Sequence, residues 1–151
     1  MRFNPYDDTK IVGGTSLPAQ SFSGSTAVDG SKVDTIGADN AVLYANGAQA
    51  SGSPSAATLV VTLQESLDGS TNWSNALDNT NTVIGFTLNA ESAAAENVAR
   101  IEGLNLNRKR YLRAVVTPAF TGGSSPAILG FAQIILGNNQ QVPVDATASN
   151  T

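Results

Sequence analysis

Thr58-Leu59-Val60-Val61-Thr62-Leu63-Gln64-Glu65-Ser66-Leu67-Asp68-Gly69-Ser70-Thr71-Asn72-Trp73 reads as a strand running into a turn. Leu59, Val61 and Leu63 fall on one side of a period-two pattern, with Val60, Thr62 and Gln64 on the other, as a half-buried strand requires. Asp68-Gly69 supplies the turn, and Trp73 opens the return strand. Burying each of the three inward residues contributes about 1.5–3 kcal/mol, so Val61→Asp is expected to collapse the sheet locally. A second run, Asn107-Arg108-Lys109-Arg110-Tyr111-Leu112-Arg113-Ala114-Val115-Val116-Thr117, repeats the logic. Tyr111, Arg113, Val115 and Thr117 share one face, Leu112, Ala114 and Val116 the other, and Pro118 is expected to end the strand.

Working outward, residues 26–34 hold a short strand stopped at Asp29-Gly30, and residues 41–45 hold another. Gly, Ser and Pro recur over 47–56 and mark a loop. Residues 82–88 are a β-branched run. Residues 90–98 carry Ser92-Ala93-Ala94-Ala95-Glu96, helix-like in composition but too short to stand alone, and read as a loop or one helical turn. A strand resumes over 98–102, and an apolar strand over 127–136 closes the pattern. These segments predict an all-β domain, an antiparallel β-sandwich or jelly roll of about seven to eight strands. The expected organisation is an extended N-terminal arm over 1–24, the sandwich over 25–137 and a polar C-terminal tail over 138–151. Little apolar surface is available within either flanking segment to offset an ordering cost of about 1–2 kcal/mol per residue. Something outside the chain is therefore expected to hold both in place.

The 151 residues suffice for one domain with its own core. The net charge of −4 disfavours nucleic acid as a partner. Charged residues are 13% of the chain, about half the usual share, which leaves a neutral polar surface that sheds water readily against another protein. Neither histidine nor cysteine occurs. Imidazole-activated nucleophiles, thiolate metal sites and disulfides are excluded with them. Residues 1–10 lack the apolar segment of a secretory signal, and no run approaches 18 apolar residues, so no membrane partner is expected and synthesis in the cytoplasm is.

Two carboxylates alone can hydrolyse a glycosidic bond, but Glu65, Asp68, Asp78, Glu91, Glu96 and Glu102 sit mostly beside turn residues, where solvation explains them. The chain is read as a non-enzyme with no cofactor. Asp68-Gly69-Ser70-Thr71-Asn72 superficially resembles a calcium loop but lacks the spaced acidic ligands and terminal Glu, so it is read as a turn. Gly13-Gly14 and Gly122-Gly123 precede no Lys-Ser or Lys-Thr pair and are not phosphate loops. Arg108-Lys109-Arg110, with Arg100 and Arg113, is the one basic cluster in an acidic chain. It either docks an acidic patch on a neighbour or discourages edge pairing at the approach to a strand.

The order Gln64 to Trp73, then Arg100-Ile101-Glu102-Gly103, then Lys109 to Val116, then the apolar strand over 127–137, resembles small virion proteins of tailed bacteriophages, in particular capsid decoration (cement) proteins. The resemblance covers the middle and later two-thirds of the chain. It implies a β-sandwich made in the bacterial host cytoplasm and located on the capsid exterior of the virion. There it would bridge neighbouring major capsid protein subunits and stabilise the shell, as a homo-oligomer, dimer or trimer. The candidate partner-binding residues are Arg2, Phe3, Tyr6, Ile11, Val12, Arg108, Lys109, Arg110, Val142 and Val144. The alternative is a tail, neck or fibre module binding a receptor or carbohydrate, with Trp73, Tyr44 and Tyr111 as candidate stacking rings.

Overall fold

The structure, a computed structural model, describes residues 9–11, 17–38, 40–91, 94–102 and 108–137, giving for 9–11 and 96–102 the backbone course. Its strands are β1 (Thr9–Ile11), β2 (Leu17–Ser23), β3 (Val28–Asp29), β4 (Val33–Asp34), β5 (Asn40–Gly47), β6 (Ala56–Ser66), β7 (Ser74–Asn75), β8 (Gly85–Asn89), β9 (Ala95–Glu102), β10 (Tyr111–Thr121) and β11 (Ala127–Gly137). All pairings are antiparallel. Among the described residues no helix is long and apolar enough to cross a membrane.

Two sheets face each other. In the first, β1 and β2 lie along one side of β11, followed by β5 and β9; in the second, β3 and β4 lie along β10, followed by β6 and then β7 and β8. Each sheet is thus four lanes wide, and the chain winds between them: first, second, first, second twice, first, second, first. That is the winding of a jelly roll. The expected sandwich is present, and its topology selects the second of the two architectures the sequence left open.

The alternation read in the sequence is the alternation of burial. Leu59, Val61 and Leu63 of β6, Leu112, Ala114 and Val116 of β10, Ala41, Leu43 and Ala45 of β5, and Ile128, Ala132, Ile134 and Leu136 of β11 fill the space between the sheets. In β2 the parity changes. Its pairing with β11 slips between Gly130 and Ala132, three residues of β2 against two of β11, and this bulge lets both Leu17 and Phe22 enter the core.

Three expectations are corrected. Pro118 does not end its strand: β10 continues to Thr121, with Pro118 opposite Leu59. The amide of Gly30 donates to the Ala114 carbonyl (2.8 Å) and that of Thr35 to the Arg110 carbonyl (3.0 Å), so even-numbered residues of β10 turn their backbone toward β3 and β4. Pro118 faces that side, two residues past the last rung with β3 at Val116, where its missing N–H breaks no ladder bond. The stretch over 90–98 is not a helical turn where it is described, because β9 already starts at Ala95 and pairs with Gly47. The segment over 1–24 is not an arm as a whole: β1 and β2 are paired to β11, and Leu17 and Phe22 are core residues. Their ordering comes from the chain's own sheet.

Candidate functional site

The two ends of the sandwich differ in chemistry. At one end, residues 48–55 and 122–126 pack together through Ser55 N–H to the Thr121 carbonyl (2.8 Å), Ser124 N–H to the Gly52 carbonyl (2.9 Å) and the Ser51–Ala127 bridge. These loops contain Gly, Ser, Pro, Ala and Gln and no charged residue. The opposite end collects charge. Its last row in the first sheet is Thr9, Gly137, Asn40 and Glu102, and in the second Asp34, Tyr111 and Ser66.

Arg108, Lys109 and Arg110 stand at this charged end, just ahead of Tyr111. Each meets a carboxylate of its own chain. Arg110 grips Asp34 in a fork, with Nη2 to Oδ2 at 2.7 Å and Nε to Oδ1 at 2.9 Å, and this pairing raises the guanidinium pKa. Arg108 and Lys109 lie 3.9 and 4.0 Å from the two oxygens of Glu65, and Lys109 Nζ also donates to Ser74 Oγ (2.6 Å). Glu65 Oε2 is buried without a hydrogen bond, so the Arg108 charge at 3.9 Å is what compensates it. The cluster leads into an interior strand, with β3 and β4 on one side and β6 on the other. Edge protection is therefore not its role.

Apolar knobs accompany these pairs. Leu67 is 74% exposed and Ile36 is 69% exposed, the two highest values among the large hydrophobic residues of the described surface. Leu67 follows Ser66 and Ile36 follows Thr35, so both stand beside the row carrying Tyr111. The turn below Leu67 is held by Asp68. Its Oδ1 accepts the amides of Ser70 and Thr71 (both 2.9 Å) and its Oδ2 accepts the Thr71 hydroxyl (2.6 Å). The buried Ser66 hydroxyl donates to the Thr71 carbonyl (2.7 Å) and accepts the Gly69 amide (3.1 Å). Hydrogen bonds from the Thr71 hydroxyl and the Ser70 and Thr71 amides hold the Asp68 carboxyl well below the usual carboxylate range. Its oxygens serve the turn, in keeping with a turn and not a cation loop. Gly69, at φ +66, passes so close to Tyr111 that an added Cβ would meet the ring at 2.8 Å.

Above this row, the outer face of the second sheet carries a clasp that sequence reasoning did not find. Arg113 Nε and Nη2 donate to Gln64 Oε1 (2.9 and 2.6 Å), Nη1 pairs with Asp29 (2.9 Å), and the guanidinium lies 4.5 Å from the Trp73 ring centroid. Gln64 and Arg113 are directly opposed across β6 and β10. The alternation of each strand was legible, but the register that sets these two side by side is not a property of either stretch alone.

The three candidate stacking rings do not form one platform. Trp73 is covered by Arg113 and Tyr111 has Arg110 and Lys32 over its ring at 5.1 and 5.3 Å, while Tyr44 lies on the other sheet against Phe131 (5.6 Å). Of the candidate partner-binding residues, Arg2, Phe3, Tyr6, Val12, Val142 and Val144 lie outside the described residues. Ile11 is placed in β1 opposite Ile135. The rung Thr9–Gly137 lies at the same end of the sandwich as Arg108, Lys109 and Arg110.

No protein-family model matches the chain, and no curated protein matches it. Among solved structures, a protein titled "Family 16 Carbohydrate Binding Module-2" is similar at TM-score 0.43 and 12% identity, over 82% of this chain and 97% of that one. A likeness at that level carries nothing about function.

Proposed function

We propose that this protein is a non-catalytic structural component of a tailed-phage virion, a decoration protein that binds the capsid exterior and bridges neighbouring major capsid protein subunits. The observation that supports the reading is the one-sidedness of the jelly roll. Exposed Leu67 and Ile36, the forked Arg110–Asp34 pair and the Thr9–Gly137 rung all belong to one end, while the 48–55 and 122–126 loops at the other end carry no charge and Glu91 stands beside them. Such a molecule attaches by one end and leaves the other to solvent. On a closed lattice each contact is repeated many times, so modest single affinities accumulate. A specific contact of this kind buries about 1,000 Å² or more, which apolar knobs with a rim of charge pairs are suited to begin and flanking segments to complete.

The test mixes purified protein with undecorated capsids and follows cosedimentation and the heat resistance of the shell. Removing residues 1–8, or introducing Ile36→Asp with Leu67→Asp at two exposed positions, is expected to reduce binding at least about tenfold, with circular dichroism confirming the fold of each variant. A deletion over 1–20 is the wrong probe, since it takes Leu17 out of the core. Normal cosedimentation of both variants would refute the assignment of this end as the attachment surface. Failure of the unaltered protein to bind any capsid would refute the function.

A further inference from the structure

The first sheet ends at β9 among the described residues. Among the described residues β9 has a paired neighbour on one side alone, β5, along its full eight residues. Which backbone groups face the open side follows from the ladder. The amide of Ala48 donates to the Leu129 carbonyl (2.8 Å), so even-numbered residues of β5 bond β11 and odd-numbered residues bond β9. The partners of Ala41, Leu43 and Ala45 are Ile101, Ala99 and Asn97. The N–H and C=O groups of Glu96, Val98, Arg100 and Glu102 are therefore the ones at the free edge.

A long edge of this kind is a template for another strand. The sequence along it says which. Glu96 and Arg100 stand two residues to either side of Val98. When a second copy of β9 is laid antiparallel with the two-fold axis at Val98, Glu96 of each copy comes opposite Arg100 of the other. The three resulting rungs, Val98 with Val98 and both Glu96–Arg100 pairs, all use backbone groups that face the free edge. Moving the axis by one residue in either direction loses both opposite-charge pairs. The geometry points to a homodimer formed by β9-to-β9 addition, which joins the first sheets of two protomers into one continuous eight-lane sheet. The occupant is a second copy of this chain because the edge is charge-complementary to itself. This inference does not rest on the capsid reading, since it concerns the purified protein alone.

The experiment is sedimentation velocity on the full chain. The unaltered protein is expected to be dimeric at roughly 0.1 mM, a concentration that populates complexes of micromolar affinity. Glu96→Arg or Arg100→Glu alone places like charges opposite each other twice and should raise the dissociation constant by about tenfold or more. The double variant Glu96→Arg with Arg100→Glu restores both pairs and should restore the dimer. Mixing the two single variants should yield a heterodimer, which also shows that both are folded. A monomeric unaltered protein overturns the proposal, as do charge reversals without effect or a double variant that fails to recover. A monomer whose capsid binding is abolished by the same reversals would assign the edge to a shell subunit's strand instead, and would equally overturn the homodimer.

Discussion

Replacing Arg113 separates the parts of the clasp on the second sheet. Two N–H groups donate to the single oxygen of Gln64, and with the side chain only 17% exposed these charge-assisted bonds contribute about 2 kcal/mol. Stacking over Trp73 adds about 0.5–1 kcal/mol. The ion pair with Asp29 is short, but Asp29 is 51% exposed and solvent screening leaves it about 0.5 kcal/mol or less. Arg113→Ala is therefore expected to cost about 3 kcal/mol, or roughly 6–12 °C in Tm for a domain of this size. The Gln64 contact dominates, so Arg113→Lys, which keeps the charge and loses the fork, should cost most of that amount, and Asp29→Asn little. Urea unfolding reads the stability, and Trp73, the chain's single tryptophan, reports the clasp by fluorescence. Lysine behaving like arginine, or Asp29→Asn costing as much as Arg113→Ala, would refute this ordering.

Gly85→Ala drives a Cβ to 2.4 Å from the Val61 carbonyl in the middle of β6, a backbone atom that cannot swing aside. A loss of about 2 kcal/mol or more is expected, read as a lower urea midpoint with unchanged slope. In acid, Asp68 and Asp78 set the trend. Hydrogen bonds from Thr71 and Thr80 respectively lower their folded-state pKa values below those of the unfolded chain. The stability they contribute is complete above the unfolded value of about 3.9 and is lost as pH falls through the folded values. Tm should thus decline below about pH 4, and Asp68→Asn should lower Tm at neutral pH while shrinking the decline toward pH 2.

Much of the fold was legible because β6 and β10 carry a strict two-residue pattern, and each is central to its sheet, where burial on one face enforces alternation. What failed to read through were features that depend on neighbours. Pro118 is a breaker only if its N–H side is needed, and the shortness of β3 removes that need. The Ala-rich residues before Val98 look helical because small side chains suit a helix. Of these Ala95 belongs to β9, directly opposite Gly47, so the pairing across the sheet and not local propensity decides its conformation. Leu17 and Phe22 are five apart and fit no simple period, and only the bulge against β11 explains how both turn inward. The Arg108-Lys109-Arg110 cluster was conspicuous as a charge run, but its partners Asp34 and Glu65 lie 76 and more than 40 residues away in sequence. No local pattern announces such neutralisation.

The rung between Thr9 and Gly137 has a mechanical consequence. A load applied through the segments on either side of it pulls two adjacent strands apart from the same end, so hydrogen bonds break one after another as in an opening zip, not all together in shear. The three-residue β1 would peel away first, and the packed layers behind it would carry no tension until it had. Repeated loading would stretch this short flap alone, with the jelly roll intact and ready to let it close again.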